Sequence, residues 1–589
     1  MGPPTPQGFR QKTRRISATG MLIQSLVFLP TFAREPSITH DLLSVGSPIY
    51  CDSLLLKTVQ LANIFPDSKT FVDMYLLNDP KITLENFDKL MSATGGKPNK
   101  TRVALFVSEN FGKKNELLAW VPPDWRPKPS ILDRIEDEGV REWIIKLNFI
   151  WRNLSRTVHP DVMRYPHRHS LIPVKNGFIV PGGRFREFYY WDTYWVIEGL
   201  LLSGMEKTAK GMLENFLSMV EEYGFVPNGG RIYYLMRSQP PLLIPMVKKY
   251  VDSTNDTKFI SEHLPLLERE FQYFHHGKSV SFIKGRKIYR MAHYVVTSKG
   301  PRPESYWEDY EEARRHVKHI EEQIFYDGIK AGAESGWDFS ARWFISKGPG
   351  FGNLSDISTR NIIPVDLNAF LQRNARLLCE FNRMQGNTRR AKFYEDIAAT
   401  YQRGIDQVLW NEDEGIWLDY DMKNARPRDI FYPTNLTPLY TGSFNRSRRE
   451  IYAKRAVEYL KRRRIGDFMG GTPASLDETG QQWDAPNAWP PLQSIMVQGL
   501  RNTGVEPAMS VAKVLATRWL RAMYLGFQKY GKMFEKYDAR EPGKFGAGGE
   551  YICQQGFGWT NGVVFEFLDI YPNVTANELL CTTCSADLN

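Results

Sequence analysis

Cysteine is scarce. Cys51, Cys379, Cys553, Cys581 and Cys584 are the only ones in 589 residues. So few cannot form a disulfide framework for a chain of this length, and an odd number leaves at least one thiol unpaired within it. Cys581 and Cys584 make a lone CxxC; the second pair that a zinc ribbon needs is missing. Phosphate-loop, dinucleotide and GxSxG nucleophile signatures are also missing. His167-x-His169 and His316-x-x-His319 read as hydrogen-bonded or solvated pairs, so neither a metal nor a cofactor is expected. The C-terminal NELLCTTCSADLN has no apolar tail, and the apolar stretch Met21 to Ala33 is too short to cross a bilayer, so no membrane anchor is expected.

Charge of one sign is also modest, at +10 over the whole chain. Its densest basic run, Lys454 to Arg464, reads as the solvated face and last turn of a helix. With no recognition signature beside it, no nucleic-acid partner is expected. What is abundant is apolar and aromatic: 42% of the chain is hydrophobic, and it holds 15 Trp, 28 Tyr and 34 Phe. That supports a large core and a cleft lined by rings.

Residues 1–45 read as a signal-like or disordered segment, 46–575 as one catalytic domain and 576–589 as a short tail. Arg10, Lys12, Arg14 and Arg15 precede the apolar stretch as in a secretory leader. Asn-x-Ser/Thr sequons at Asn99, Asn153, Asn255, Asn353, Asn435, Asn445 and Asn573 favour a secreted glycoprotein. Apolar residues recur at helical spacing over Ile131–Arg152, Glu206–Tyr223, Asp366–Met384, Ala391–Trp410, Arg448–Arg463 and Glu506–Tyr530. Strand patterns are few and short, at Ile232–Leu235 and Ile416–Leu418. The expected fold is all-α, with helix pairs recurring from about residue 190 and long loops carrying function.

The chemistry gathers in loop-like stretches. PGGRFREFYYWDTYW (Pro181 to Trp195) holds Arg184, Trp191 and Asp192. PNGGRIYYLMRSQPP (Pro227 to Pro241) holds Asn228, Arg237, Ser238 and Gln239. Arg302-Pro303-Glu304 and AESGWDFSARW (Ala333 to Trp343) bring Gly336 and Asp338. QQWDAPNAWPP (Gln481 to Pro491) brings Gln482 and Trp483. EKYDAREPGKFGAGGEYICQQGFGWTN (Glu535 to Asn561) carries Glu535 and Glu550 about a glycine run. Asp338 lies between Trp337 and Phe339, where an apolar pocket raises a carboxyl pKa and keeps it protonated, as a general acid requires. Carboxylates, arginines, amides and rings without a cofactor fit glycoside hydrolysis. The residues alone do not choose between Glu535 and Glu550 as the second carboxyl.

These stretches together resemble the trehalase family of glycoside hydrolases. The likeness rests on PGGRFREFYYWDTYW, QQWDAPNAWPP, EKYD with GGEY and GFGWTNG, and DSKTFVDM near the start, and it runs from about residue 45 to 572. It implies an (α/α)6 toroid that hydrolyses α,α-trehalose to two glucose molecules with inversion and without metal. It implies Asp338 as general acid, Glu535 as the base that activates water, and Glu550 as a substrate-binding carboxylate near the base. It further implies binding roles for Arg184, Trp191, Asp192, Asn228, Arg237, Ser238, Gln239, Arg302, Pro303, Glu304, Gly336, Gln482 and Trp483. Arg184, Arg237 and Arg302 are expected to hold Glu535 ionised. Ala547 departs from the family by interrupting the glycine run, with Pro542 before it. The alternatives are a related α-glucoside hydrolase on the same toroid, or a sugar-binding protein without catalysis; oligomeric state is left open.

Overall fold

The computed structural model describes Gly2 and residues 46–113, 116–345 and 352–581. The expected leader and most of the tail lie outside these residues. Helices α1 (Leu54–Leu61), α2 (Pro80–Ala93) and α3 (Lys100–Asn110) enclose a small core of their own around Phe71, Phe87, Phe106 and Phe111.

The main body then alternates two kinds of helix. α4 (Glu138–Leu154) is outer, α5 (Asp192–Leu202) inner, α6 (Glu206–Tyr223) outer, α7 (Leu243–Thr254) inner and α8 (Thr257–Gly277) outer. An excursion follows, through a hairpin of β1 (Ser279–Lys284) and β2 (Lys287–Ala292) and two helices, α9 (Tyr306–His316) and α10 (Glu322–Glu334). The alternation resumes with α11 (Val365–Met384) inner, α12 (Thr388–Gly404) outer, α13 (Thr437–Thr441) inner and α14 (Arg449–Arg462) outer. It ends with α15 (Pro490–Arg501) inner, α16 (Ala508–Tyr530) outer and α17 (Gly558–Ile570) inner. Each inner helix packs on the next, α5 on α7, α11, α13, α15 and α17 in turn, and α17 closes on α5. This is the (α/α)6 toroid.

The sequences explain the layering. α5 (DTYWVIEGLLL) and α17 (GWTNGVVFEFLDI) are apolar nearly all round and bury almost every residue, as a helix wrapped by neighbours must. The outer helix α6 buries one stripe, including Met212, Leu213, Phe216, Leu217 and Val220, and ends on Gly224 at φ +88°. Where α5 and α17 meet, Gly199 and Gly562 let the backbones approach. A Cβ on Gly562 would stand 2.0 Å from the Trp195 carbonyl oxygen.

Most expected helices are present within a few residues, and Ile416–Trp417 is a strand. The Ile131–Arg152 stretch is divided: a 3-10 turn, Ser130–Arg134, precedes α4, which starts afresh where the Asp137 side chain accepts from the Val140 N–H. Ile232–Leu235 is not a strand. Residues Ile232–Tyr234 form a 3-10 turn, and Tyr233 and Tyr234 are both buried in the N-terminal core. A short apolar run buried on all sides does not reveal its period. The basic run lies on α14, where Arg455 pairs with Glu412, Arg462 with Glu414, and Arg463 with Glu414 and Asp429. Asn435 is fully buried, with its amide donating to the Ile430 carbonyl and the Tyr459 hydroxyl, so the folded chain cannot carry a glycan there. Cys51, Cys379 and Cys553 are free thiols and Cys581 is disulfide-bonded.

The α5–α17 contact gives a stability test. Gly562→Ala should destabilise the chain by at least ~1–3 kcal/mol, the usual overpacking cost, because the obstacle is backbone. Gly277→Ala, with open space around the added methyl, should be neutral or slightly stabilising. Thermal unfolding of both variants checks this; equal midpoints would contradict the packing described.

Candidate active site

The inner helices α5, α15 and α17 all begin at one end of the ring, and Trp191, Trp489 and Phe557 precede their first residues. Their N-termini, with the loops that lead into them, surround a cavity whose empty space, open solvent included, is about 690 Å³. Tryptophans form much of its wall. Trp483 stacks on Trp489 at 3.9 Å with an interplanar angle of 2°, and Trp337 stacks on Trp483 at 5.3 Å. Trp559 meets Trp191 and Trp489 edge-on. Flat apolar faces beside polar groups suit a sugar, whose rings carry both kinds of surface.

Asp338 reaches the cavity from the loop after α10. That loop is anchored from behind. Asp484 accepts from the Ser340 hydroxyl at 2.7 Å, the Ala341 N–H at 2.8 Å and the Ser475 hydroxyl at 2.8 Å, and also from Thr479. Arg342 is wholly buried, pairs with Asp366 and Asp419 at 2.8 Å each, and lays its guanidinium 4.7 Å over Trp337. Burial pushes the Asp338 carboxyl up to about 7; Arg302 draws it down and Glu550 pushes it up. The chief cause of the rise is the expected desolvation.

Glu535 enters from the opposite side of the sequence. A short antiparallel pair, β3 (Asn487–Ala488) with β4 (Tyr537–Asp538), ties its segment to the tryptophan loop. The Trp559 indole N–H donates to the Glu535 carbonyl at 3.0 Å, and the Tyr551 hydroxyl donates to Oε1 at 2.8 Å. Burial raises this carboxyl too; Lys536, the Tyr551 hydrogen bond, the Gln554 N–H and Arg184 oppose the rise. The expectation for the arginines is thus corrected in part. Arg184 bears on Glu535, but Arg237 and Arg302 bear on Asp338, and the chief cation beside Glu535 is Lys536. Asp192, at the start of α5, is raised by burial and then by the negative charges of Glu535 and Asp338.

The arginines are held by partners rather than free. Arg184 donates to both oxygens of Asp67 at 2.8 Å. Arg237 donates to Asn228 at 2.8 Å and Glu304 at 2.6 Å. Arg302 joins Asp309 and Glu550, each at 2.6 Å, and lies 4.9 Å over the Phe339 ring. Fixing each guanidinium removes the entropy that a bound ligand would otherwise have to freeze.

Of the residues expected at the site, Arg184, Trp191, Asp192, Asn228, Arg237, Gln239, Arg302, Glu304, Gly336, Asp338, Trp483, Glu535 and Glu550 line the cavity. Ser238, Pro303 and Gln482 stand behind the wall. Ser238 donates its hydroxyl to the Val226 carbonyl and its N–H to Glu334; Pro303 accepts from Gln60. Gln482 donates to the Asp338 carbonyl and accepts from Lys536, so it bridges the two carboxyl-bearing segments. Glu550, expected near Glu535, adds its charge to Asp338 through the Arg302 side of the cavity.

Ala547 proves compatible with its loop. Its N–H donates to the Asn487 side chain at 3.0 Å and its carbonyl accepts from it at 2.8 Å. The left-handed backbone is taken by its neighbours, as at Gly549, φ +85°, where a Cβ would meet Gln482 at 2.7 Å. Sequence reasoning overlooked Tyr551, Lys536, Lys69, Asp67 and Asp309. Tyr551 directly follows Glu550 in GGEY and could have been singled out; the others show their role only once the chain is folded. His167 pairs with Asp79, His169 with Glu116 and His319 with Glu322. Among the described residues no group of three or more His, Cys, Asp or Glu is placed to hold a metal.

Comparison with known proteins bears on this arrangement. The trehalase family model matches residues 63–572. A trehalase of Pimpla hypochondriaca is 58% identical over 570 residues, 95% of this chain and 97% of the relative. A trehalase of Homo sapiens is 44% identical, covering 89% of each chain. The solved neutral trehalase Nth1 of Saccharomyces cerevisiae superposes with a TM-score of 0.53 at 22% identity, over 68% of this chain and 74% of that one, a likeness of fold. A match of this length and identity, on a closed helical ring with a carboxyl-lined cavity at one end, makes the chain a member of the trehalase family.

Proposed function

We propose that the chain hydrolyses α,α-trehalose to two molecules of glucose with inversion, with residues 46–575 as the catalytic domain. The observation that carries the proposal is that Asp338 and Glu535, far apart in sequence, open into one aromatic cavity, with the Asp338 carboxyl pushed up to about 7. Relatives across insects and mammals bear the same name at high coverage.

The chemistry is a single displacement. Asp338 gives its proton to the glycosidic oxygen as the bond from that oxygen to the anomeric carbon breaks. Water attacks that carbon from the opposite face, and Glu535 takes the proton the water loses. Each turnover leaves Asp338 ionised and Glu535 protonated, and exchange with solvent resets both. Inversion requires room for the water between the carboxyls, a separation of about 6.5–9.5 Å. Arg184, Arg237 and Arg302, with Asn228, Gln239, Glu304 and Glu550, offer donors and acceptors to sugar hydroxyls, and the tryptophans cover the sugar's apolar faces. The leader-like stretch and the exposed sequons, such as Asn99, Asn153 and Asn573, support the reading of a secreted glycoprotein. No described helix is long and apolar enough to cross a membrane.

Asp338→Asn and Glu535→Gln should each lower kcat on trehalose by at least ~10²–10⁴, with modest changes in KM. Near-wild-type turnover in either variant would remove the role given to that residue. Inversion should release one β-glucose from the attacked ring and one α-glucose from the leaving ring; NMR of the first products showing α-glucose alone would exclude it. The pH profile should be bell-shaped. Activity needs Asp338 protonated, so it falls as pH rises through about 7. It needs Glu535 ionised, so it falls as pH drops through a pKa raised above the ordinary glutamate value. A rate that keeps climbing well above pH 8 would show that Asp338 is not the acid.

A further inference from the structure

Tyr551 has no part in the scheme above, yet it occupies a defined place in it. It lines the cavity, and its hydroxyl lies 2.8 Å from Oε1 of Glu535. Two cations lie over its ring: the Arg184 guanidinium is 4.9 Å from the ring centre and the Lys536 ammonium 5.7 Å. The edge of Phe185 packs on it at 5.4 Å. Arg184 is in turn clamped by Asp67, so the ring has little freedom to turn. Oε2 of Glu535 has only a long contact, 3.4 Å, with the Gln554 N–H.

We propose, resting on the reading of Glu535 as the base, that Tyr551 is its positioning residue: the phenol O–H fixes Oε1 and leaves Oε2 as the oxygen presented to the attacking water. The donor is constant. Burial, and then the adjacent Glu535, keep the phenol protonated far above neutral pH. The geometry favours this reading over simple packing, because a ring that only filled space would have no need of a hydroxyl turned onto a buried carboxylate. The same backbone carries Glu550, which grips Arg302 on the acid side. Tyr551 therefore reaches Glu535 when the loop is seated across both halves of the cavity. The other charged or titratable groups around Glu535 are Lys536, Arg184, Asp192 and Cys553, with Asp338 lining the same cavity. None of them donates a hydrogen bond to Oε1.

Full-length Tyr551→Phe, assayed on trehalose across pH, tests the inference. Loss of a hydrogen bond to a charged group should lower kcat roughly ten- to a hundredfold with little change in KM. The acidic limb of the profile should move to higher pH, because a donor favouring the ionised carboxylate is gone, while the alkaline limb stays in place. Thermal unfolding should be close to wild type. An unmoved acidic limb overturns the inference, whether kcat is unchanged or falls equally at all pH with a lowered unfolding midpoint. Glu535→Gln measured alongside separates the two levels. If it retains turnover, the assignment of the base has failed. If it is inactive while Tyr551→Phe keeps the wild-type acidic limb, only the role of Tyr551 falls.

Discussion

Taking carboxyls out of water is the constraint on which this molecule turns. Asp338, Glu535 and Asp192 all face one cavity, and burial raises each of them. Desolvation alone would leave the three alike. Their differences come from what stands beside each. Glu535 has the Lys536 ammonium and the Tyr551 hydroxyl, both of which favour its ionised form. Asp338 has Arg302, but that cation already serves Asp309 and Glu550, and the Glu550 charge works against it. One cavity thus holds two carboxyls, both raised by burial, whose neighbours set them apart.

The ring architecture makes such a site available. Inner helices that are apolar all round leave the toroid axis filled, so polar groups collect where these helices begin. The loops that enter them are long, and they are rigid for reasons visible in the contacts: Asp484 accepts from Ser340 and Ala341 of the Asp338 loop and from Ser475 and Thr479 of its own segment, and Gln482 joins the Asp338 loop to the Lys536 segment. Rigidity here is a property of hydrogen bonds rather than of regular secondary structure.

The helices were legible because their apolar residues recur at the right interval, as in Glu206–Tyr223, where the expected and observed limits coincide. The β1–β2 hairpin was not. Its central turn residues, Gly285-Arg286, offer one glycine among lysines and arginines rather than the stronger Asn-Gly or Asp-Gly signal. At the site, Asp338 could be read from its flanking rings, since the cause of its raised pKa is local in sequence. The choice of Glu535 over Glu550 needed a likeness to other chains. The partnership of Arg184 with Asp67, or of Gln482 with Lys536, joins residues far apart in the chain and is a property of the fold alone.

Asp67 belongs to the segment before the toroid, beside the small core of α1 to α3. The toroid by itself therefore lacks part of the cavity wall. A version trimmed to begin at α4 could still close its circle of helices, yet it would set Arg184 loose over Tyr551 and uncover the flank of the cavity that Lys69 now lines. The leading segment thus completes the cavity that the ring begins.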